Sequence, residues 1–510
     1  MFTWSPQQET YLDWCKNGTG SSVLEAVAGA GKTTVLLEGG QRMQGDTLYM
    51  AYNKDVADET SAKLKALGVD WKKMRASTVH AAGRAVIVKS VGKDALIINK
   101  NKVRDLFDAK VTHATDPLKA RCGEVLKLVS LAKQSAFGTA GPAITDMHAW
   151  LTMAAHFDIF EDSNGGASPV MQTKLIELAQ ELLIQNNRIL ETIDYDDMVY
   201  LPPLHELPCW RHANITLDEA QDTNAARRAL VRMLLRKGGR LTAVGDPRQA
   251  IYGFTGADSD SLDIIARDFN AIRLPLTITY RCPKQVVAFA QQWVSHISAA
   301  DTAPEGDVSK IDLDAFMQRN DLDSRAAVLC RLNRPLVSLA FALLRRRIPC
   351  RIAGREDVGE GLKKLLTRWK VSSLDRLEEK LDDYLARQTS RLLAAKQETK
   401  VAAIEDQVET AKVIITACRE QKKYSVADAV AWIDEMFTDD RNLNLLMLSS
   451  IHKSKGREWP TVFWLDRANT CPNRWARQAW QIEQEANLQY VAATRSKDRL
   501  IDIVVEEQPR

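Results

Sequence analysis

The run AVAGAGKTT, from Ala26 to Thr34, constrains this chain of 510 residues more than any other stretch. It follows the apolar Ser22-Val23-Leu24-Glu25-Ala26-Val27 and opens into Val35-Leu36-Leu37. That order reads as strand, glycine-bearing turn and helix, the setting a phosphate-cradling loop needs. Gly29 and Gly31 let the backbone approach phosphate oxygens where a Cβ would intrude. Backbone N–H groups of the turn, from Ala28 through Ala30 to Thr34, gather at the new helix N-terminus and point at the anion. Lys32 can reach the β- and γ-phosphates, and the Thr33 hydroxyl can ligate Mg²⁺. The run therefore predicts a nucleoside triphosphate site. Ala26 stands where the usual pattern G-x-x-x-x-G-K-[ST] has its first glycine, so the run alone leaves a glycine-rich turn with a solvated lysine as the alternative.

The length allows two to four domains, each with its own core. Eight cysteines are scattered from Cys15 to Cys471 without a C-x-x-C pair, which predicts neither a disulfide scaffold nor a zinc site. The start, Met1-Phe2-Thr3-Trp4, lacks the basic stretch and apolar core of a secretory leader, and no apolar segment approaches the ~20 residues of a membrane helix. The expectation is a cytoplasmic protein with no membrane partner. A net charge of +3 permits nucleic-acid binding without arguing for it, so any basic groove must be local.

Apolar runs alternate with helical patterns, which predicts an α/β fold with parallel sheets. The runs fall into two clusters. Val23 to Val27, Thr47 to Ala51, Ile215 to Leu217 and Leu241 to Val244 form the first; Ala327 to Cys330, Leu445 to Ser449, Thr461 to Leu465 and Leu500 to Val505 form the second. Two sheets, each interrupted by a mainly helical insertion, explain this layout. The expected division is 1–98 and 195–280 for the first domain around an insertion at 99–194, then 281–353 and 441–510 for the second around an insertion at 354–440. The breaker-rich Asp162-Ser163-Asn164-Gly165-Gly166 reads as a loop. Leu374 to Glu420 reads as a solvated helical hairpin, and Ser425-Val426-Ala427-Asp428 as a capping box.

Further chemical signals sit at strand ends. Ile215-Thr216-Leu217 runs into Asp218-Glu219-Ala220-Gln221-Asp222. Beside a phosphate loop, Asp218 can hold Mg²⁺ and Glu219 can orient or deprotonate an attacking water. Gln249 follows the strand Leu241 to Val244, where a γ-phosphate could be felt. Phe254, flanked by Gly253 and Gly256, either stacks on a base or fills the core. Arg281 follows Thr277 to Tyr280. If Glu485 to Arg495 is one helix, Leu488, Val491, Ala492 and Arg495 share an apolar stripe, and an arginine there is costly unless it meets an anion.

In order, these segments resemble the superfamily 1 DNA helicases of the UvrD/Rep/PcrA type over nearly the whole chain. Trp4-Ser5-Pro6-Gln7-Gln8 is similar to the family's Q motif, with Gln8 as the adenine reader. The family also has Ala at the position of Ala26. Tyr52-Asn53-Lys54 and Ser77-Thr78-Val79-His80 resemble its strand-binding motifs, and Asp218 to Asp222 its DExQD box. Gly245 to Gln249 with Phe254 resembles the third motif. Tyr280-Arg281 is similar to the pair in which Tyr stacks on adenine and Arg contacts the γ-phosphate. His452-Lys453-Ser454-Lys455-Gly456-Arg457-Glu458 resembles the fifth motif, which touches DNA phosphates and places Glu on the ribose. Tyr490 to Arg495 resembles the sixth, with Arg495 as a second arginine finger.

The resemblance implies two RecA-like P-loop domains using ATP and Mg²⁺. It implies single-stranded DNA and duplex junctions as partners, with contacts from Tyr52, Asn53, Thr78, His80, Phe254, His452 and Lys453. Movement 3′→5′ is expected, with 5′→3′ movement of the RecD/Dda type and a protein-displacing translocase as alternatives. Both insertions are short for this family, and the chain stops soon after Arg495, so neither a large rotating accessory domain nor a fused nuclease is expected.

Overall fold

The computed structural model describes residues 3–113, 115–157, 159–160, 167–251, 260–354, 358–394, 398–438, 445–473, 476 and 479–505. The chain splits into two compact units, Met1–Thr277 and Ile278–Arg510. The expected loop at 162–166 and Phe254 lie outside the described residues.

The strands of the first unit are β1 (Ser22–Ala26), β2 (Thr47–Ala51), β3 (Met74–Thr78), the short β4 (Ile97–Ile98) and β5 (Thr192–Ile193), β6 (His212–Leu217), β7 (Leu235–Gly245) and β8 (Ile272–Leu276). Six of them form one parallel sheet in the order β3-β2-β6-β7-β1-β8. Parallel strands covered on both faces are near-continuous apolar runs, and β2 is buried at every position. The sheet core gathers Val23, Leu48, Met50, Ile215, Leu217, Leu241 and Ala243.

β4 and β5 pair with each other, so the chain leaves and re-enters the unit at one place. Between them lie helices Lys102–Lys110, Cys122–Gln134, Met147–His156 and Pro169–Asn187, packed around a separate core that includes Phe107, Leu128, Trp150 and Leu182. Beneath that core Lys133 Nζ lies 2.6 Å from Asp194 and 2.7 Å from Asp197, and Lys102 Nζ lies 2.8 Å from Asp197. Two ammonium groups against two carboxylates leave no net buried charge, the condition under which such a cluster is tolerated.

The second unit contains β9 (Ile278–Thr279), β10 (Ser298–Ala299), β11 (Asp307–Asp312), β12 (Ala326–Cys330), β13 (Cys350–Ala353), β14 (Phe437–Thr438), β15 (Leu446–Ser450), β16 (Trp459–Leu465) and β17 (Ser496–Val504). Seven of them form a parallel sheet, β11-β17-β16-β12-β15-β13-β14. This is the expected α/β architecture, two parallel sheets with helical insertions.

The hairpin at Leu374–Ala394 and Glu398–Glu420 forms, but it is not solvated all round. Leu377, Leu381, Val408, Ala411, Ile414 and Ile415 join the core of the second sheet. The charged residues hid an apolar stripe at helical spacing. The expected capping box at Ser425 and Asp428 is present. Among the described residues, no helix is long and apolar enough to cross a membrane.

Candidate functional site

In the first unit β1 ends at Ala26, and the turn that follows takes left-handed backbone at Gly29 and Gly31, both with φ of +74°. Gly31 is the N-cap of helix Lys32–Arg42, and no side chain caps that helix. Its first N–H groups are therefore not committed to a side-chain cap, and an anion suits them. Gln8 supports the loop from behind. It completes a capping box with Ser5, and its Nε2 donates to the Ala30 carbonyl at 3.2 Å. The amide expected to read adenine thus also holds the phosphate loop. Its neighbour Gln7 bonds Thr277 through both main-chain and side-chain groups.

β6 delivers the two acids. Asp218 Oδ2 accepts a 2.6 Å hydrogen bond from the Tyr49 hydroxyl on β2, and the Thr33 hydroxyl lies beside the same tyrosine. Burial, then the adjacent Glu219 charge, raise the Asp218 carboxyl to about 6, against the pull of Tyr49 and Lys32. Glu219 takes left-handed backbone, φ +50°, which turns its side chain back toward the loop. Its carboxylate lies 3.7 Å from Lys32 Nζ.

Gln221, read from sequence only as part of an acidic box, is the hub. Its Nε2 donates to Glu219 at 2.5 Å, and its Oε1 accepts from the Asp246 N–H at 3.1 Å. Gly245 makes this possible, since a Cβ there would collide with that Oε1. Asp246 in turn holds Gln249 through a 2.8 Å bond from Nε2. Lys32, Thr33, Asp218, Glu219 and Gln249 therefore belong to one connected network at the carboxyl ends of β1, β6 and β7, as open α/β sheets place ligands.

The donor set fits the ligand expected there. Thr33 and Asp218 would offer two oxygen ligands, and Mg²⁺ generally binds through few protein oxygens with phosphate and water completing its octahedron. Among the described residues no cluster of three His, Cys, Asp or Glu competes as a metal site.

The strand-contact candidates of the first unit lie at the ends of β2 and β3. Asn53 and Thr78 are helix N-caps, accepting from Val56 N–H at 2.9 Å and Ala81 N–H at 3.0 Å. Tyr52 and His80 line a cavity of about 250 Å³ with Asp222, Asn224 and Arg227. The Arg227 guanidinium lies 5.5 Å from the centre of the Tyr52 ring. Burial, and then Arg227, lower the His80 imidazole to about 4, so it is neutral at physiological pH.

In the second unit Tyr280 is 46 % exposed, which suits a stacking role. Arg281 Nε lies 2.6 Å from Glu458, whose other oxygen is 2.5 Å from Lys497 Nζ. Burial acts to raise the Glu458 carboxyl, but Arg281 and Lys497 outweigh it and hold it below the usual range. His452 lines a second cavity, about 320 Å³, with Arg331, Asn333, Asp406 and Ser450. Burial, then Arg331, lower its imidazole to about 3. Lys453 donates its N–H to Ser450, the N-cap of its short helix.

Arg495 requires a correction. Helix Ala479–Ala493 ends before it, so it does not share the helical stripe expected from Leu488 and Val491. It is buried nonetheless, and its guanidinium donates to the carbonyls of Val491 at 3.0 Å and Arg457 at 3.2 Å. Backbone carbonyls and the Thr494 hydroxyl, 3.4 Å from Arg495, meet this charge within its own unit.

Comparison with known proteins agrees with both halves. The family described as UvrD/REP helicase N-terminal domain matches residues 4–270, and the UvrD-like helicase C-terminal domain matches residues 363–507. The chain is 32 % identical over 131 residues to a probable DNA helicase II homolog of Mycoplasma capricolum, covering 24 % of this chain and 18 % of that protein. It is 26 % identical over 297 residues to the ATP-dependent DNA helicase srs2 of Schizosaccharomyces pombe, covering 52 % of this chain and 32 % of that protein. To the ATP-dependent DNA helicase Rep of a Buchnera aphidicola strain it is 25 % identical over 298 residues, covering 54 % of this chain and 42 % of that protein. The chain thus spans less than half the length of these relatives.

Proposed function

Because this chain belongs to the UvrD/REP helicase family, we propose that it is an ATP-driven motor that moves along single-stranded DNA and separates duplex ahead of it. The observation that carries the reading is the single network joining Lys32, Thr33, Asp218, Glu219, Gln221 and Gln249 in the first unit.

ATP would supply the phosphoanhydride whose cleavage drives movement, and Mg²⁺ would supply positive charge to offset that of the phosphates. The N–H groups from Ala28 to Thr34 cradle the phosphates, and Lys32 turns from Glu219 to the γ-phosphate. Thr33 and Asp218 would hold the metal. Glu219, released from Lys32 but still oriented by Gln221, takes the proton of the attacking water at a carboxylate oxygen. Gln249 carries the state of the γ-phosphate through Asp246 to Gln221. Gln8 and Tyr280 hold adenine, and Glu458 holds the ribose.

Arg281 and Arg495 of the second unit are proposed to reach the γ-phosphate, Arg281 leaving Glu458 and Arg495 leaving the Arg457 carbonyl. ATP then bridges the two RecA-like units, and its hydrolysis removes the bridge. Tyr52, Asn53, Thr78 and His80 grip the strand in one unit and His452 and Lys453 in the other; a neutral His80 grips by hydrogen bonding and packing, not by charge. Phe254 is proposed to stack on a base. If the grips loosen in turn, each cycle advances the chain.

The likeness of His452 to Glu458 and Tyr490 to Arg495 to the UvrD-type motifs supports 3′→5′ movement. Duplexes with a 3′ or a 5′ single-stranded tail, incubated with ATP and Mg²⁺, test this. Strand separation is expected on the 3′-tailed substrate. Separation only on the 5′-tailed substrate reverses the polarity. No separation on either, with hydrolysis still stimulated by DNA, leaves a translocase and removes the helicase reading.

A further inference from the structure

The end of the first sheet opposite the phosphate loop carries an arrangement that neither the nucleotide site nor the strand grips use. Trp210, just ahead of β6, is 66 % exposed, and Trp71, just ahead of β3, is 65 % exposed. Trp210 stands beside Asp46, which lies just ahead of β2. Asp46 is itself fixed by the Ala213 N–H at 3.1 Å and by His212 Nδ1 at 2.5 Å. The indole beside this carboxylate stays open to solvent.

Cations surround this platform. Arg75 reaches across β2 to within 3.2 Å of His212 Nε2, and Arg236 lies 3.7 Å from Asp46. Arg211 and Lys237 are exposed beside them in sequence, and Lys72 Nζ sits 5.9 Å from the Trp71 ring centre. Register places these residues together: Thr47 pairs with Met74 on one side and Asn214 on the other, and His212 pairs with Leu235. Acids are present at this end too: Asp46, Asp70, which accepts from the Lys72 N–H at 2.9 Å, and Asp268, ahead of β8, 3.6 Å from Arg232. The face is a local basic patch with aromatic platforms on a chain whose net charge is only +3.

We propose that this face is a second binding surface for single-stranded nucleic acid, with bases stacked on Trp210 and Trp71 and phosphates against Arg211, Arg236 and Lys237. Exposed aromatic faces among cations are what sequence-tolerant strand binding uses, stacking for the bases and charge for the backbone. An acidic peptide would satisfy the cations but leave both indole faces in water, so the nucleic acid uses more of what is present. Five-residue strands at ~3.3 Å per residue put this face ~17 Å from the grips at Tyr52 and Thr78. One long strand, or the arm displaced from a duplex, can therefore occupy both. The assignment does not depend on the ATPase reading.

The test uses the full chain with labelled oligo(dT) of ~10 nucleotides, enough for one groove, and of ~40 nucleotides, enough for both. Trp210→Ala and the pair Arg236→Glu, Lys237→Glu are expected to weaken ~40-mer binding about tenfold. The charge-reversed pair is expected to lower the salt slope by about 2. Binding of the ~10-mer and DNA-stimulated ATP hydrolysis stay at wild-type values, and Trp210→Phe restores most of the loss. Wild-type ~40-mer binding in these variants overturns the proposal, and would leave the face to an acidic polypeptide. Should Trp210→Ala weaken both oligonucleotides alike, the exposed Lys237→Glu alone decides: unchanged ~40-mer binding and salt slope overturn the proposal.

Discussion

Glu219→Gln is expected to slow ATP turnover by about 10²–10⁴-fold while ATP and single-strand affinities stay near wild type. Gln keeps the size of the side chain and can still accept from Gln221, so the loop and its network persist. What it removes is the oxygen basic enough to take a proton from water. It also removes the charge that helps raise the Asp218 carboxyl, so Asp218 becomes more acidic and metal binding is not weakened. Single-turnover hydrolysis beside equilibrium binding separates the two effects. Turnover within about threefold of wild type would remove Glu219 as the base and leave its contact with Lys32 as a structural one.

Arg281→Ala is expected to lower kcat by about 10³-fold or more, the effect of losing an arginine that stabilises charge in phosphoryl transfer. The fold is expected to survive, because Arg281 is half-buried and its ion pair with Glu458 leaves Lys497 as the carboxylate's remaining partner. Arg281→Lys is expected to restore little, since an ammonium cannot reproduce the planar fork of donors. Steady-state kinetics on both variants, with thermal midpoints as a check on folding, measure this. A kcat within tenfold of wild type in Arg281→Ala would confine Arg281 to its contacts with Glu458 and Thr494.

The interior of both sheets is legible in the sequence because parallel strands covered on both faces must be apolar throughout. β1, β2, β6, β7, β12, β15, β16 and β17 all show such runs. The missed strands are mostly edges. β3 and β8 close the first sheet and β11 and β14 the second. An edge strand is partly solvated, and MRAST or DVSKID carries no continuous apolar run to find. The helical hairpin is misjudged for the opposite reason, since its charges obscure the stripe that Leu377, Leu381, Val408 and Ile415 bury.

In the site, residues whose chemistry depends on a local run are legible: Lys32 and Thr33 in the loop, Asp218 and Glu219 after a strand. Residues that act through contacts distant in sequence are not. Tyr49 looks like any buried strand residue, and only folding brings its hydroxyl to Asp218. Gln221 shows its role only once Gly245 and Asp246 lie beside it. Arg495 exposes a limit of periodicity, because burial of a cation is met here by carbonyl oxygens that no pattern of side chains reveals.

The central claim is that one network in the first unit hydrolyses ATP in step with a bound strand. The rate of phosphate release with Mg²⁺ and ATP, measured with and without single-stranded DNA, tests it most directly. The account predicts a rate that DNA raises at least tenfold and that Lys32→Ala abolishes in either condition. A rate indifferent to DNA, or one that survives the loss of Lys32, would contradict it.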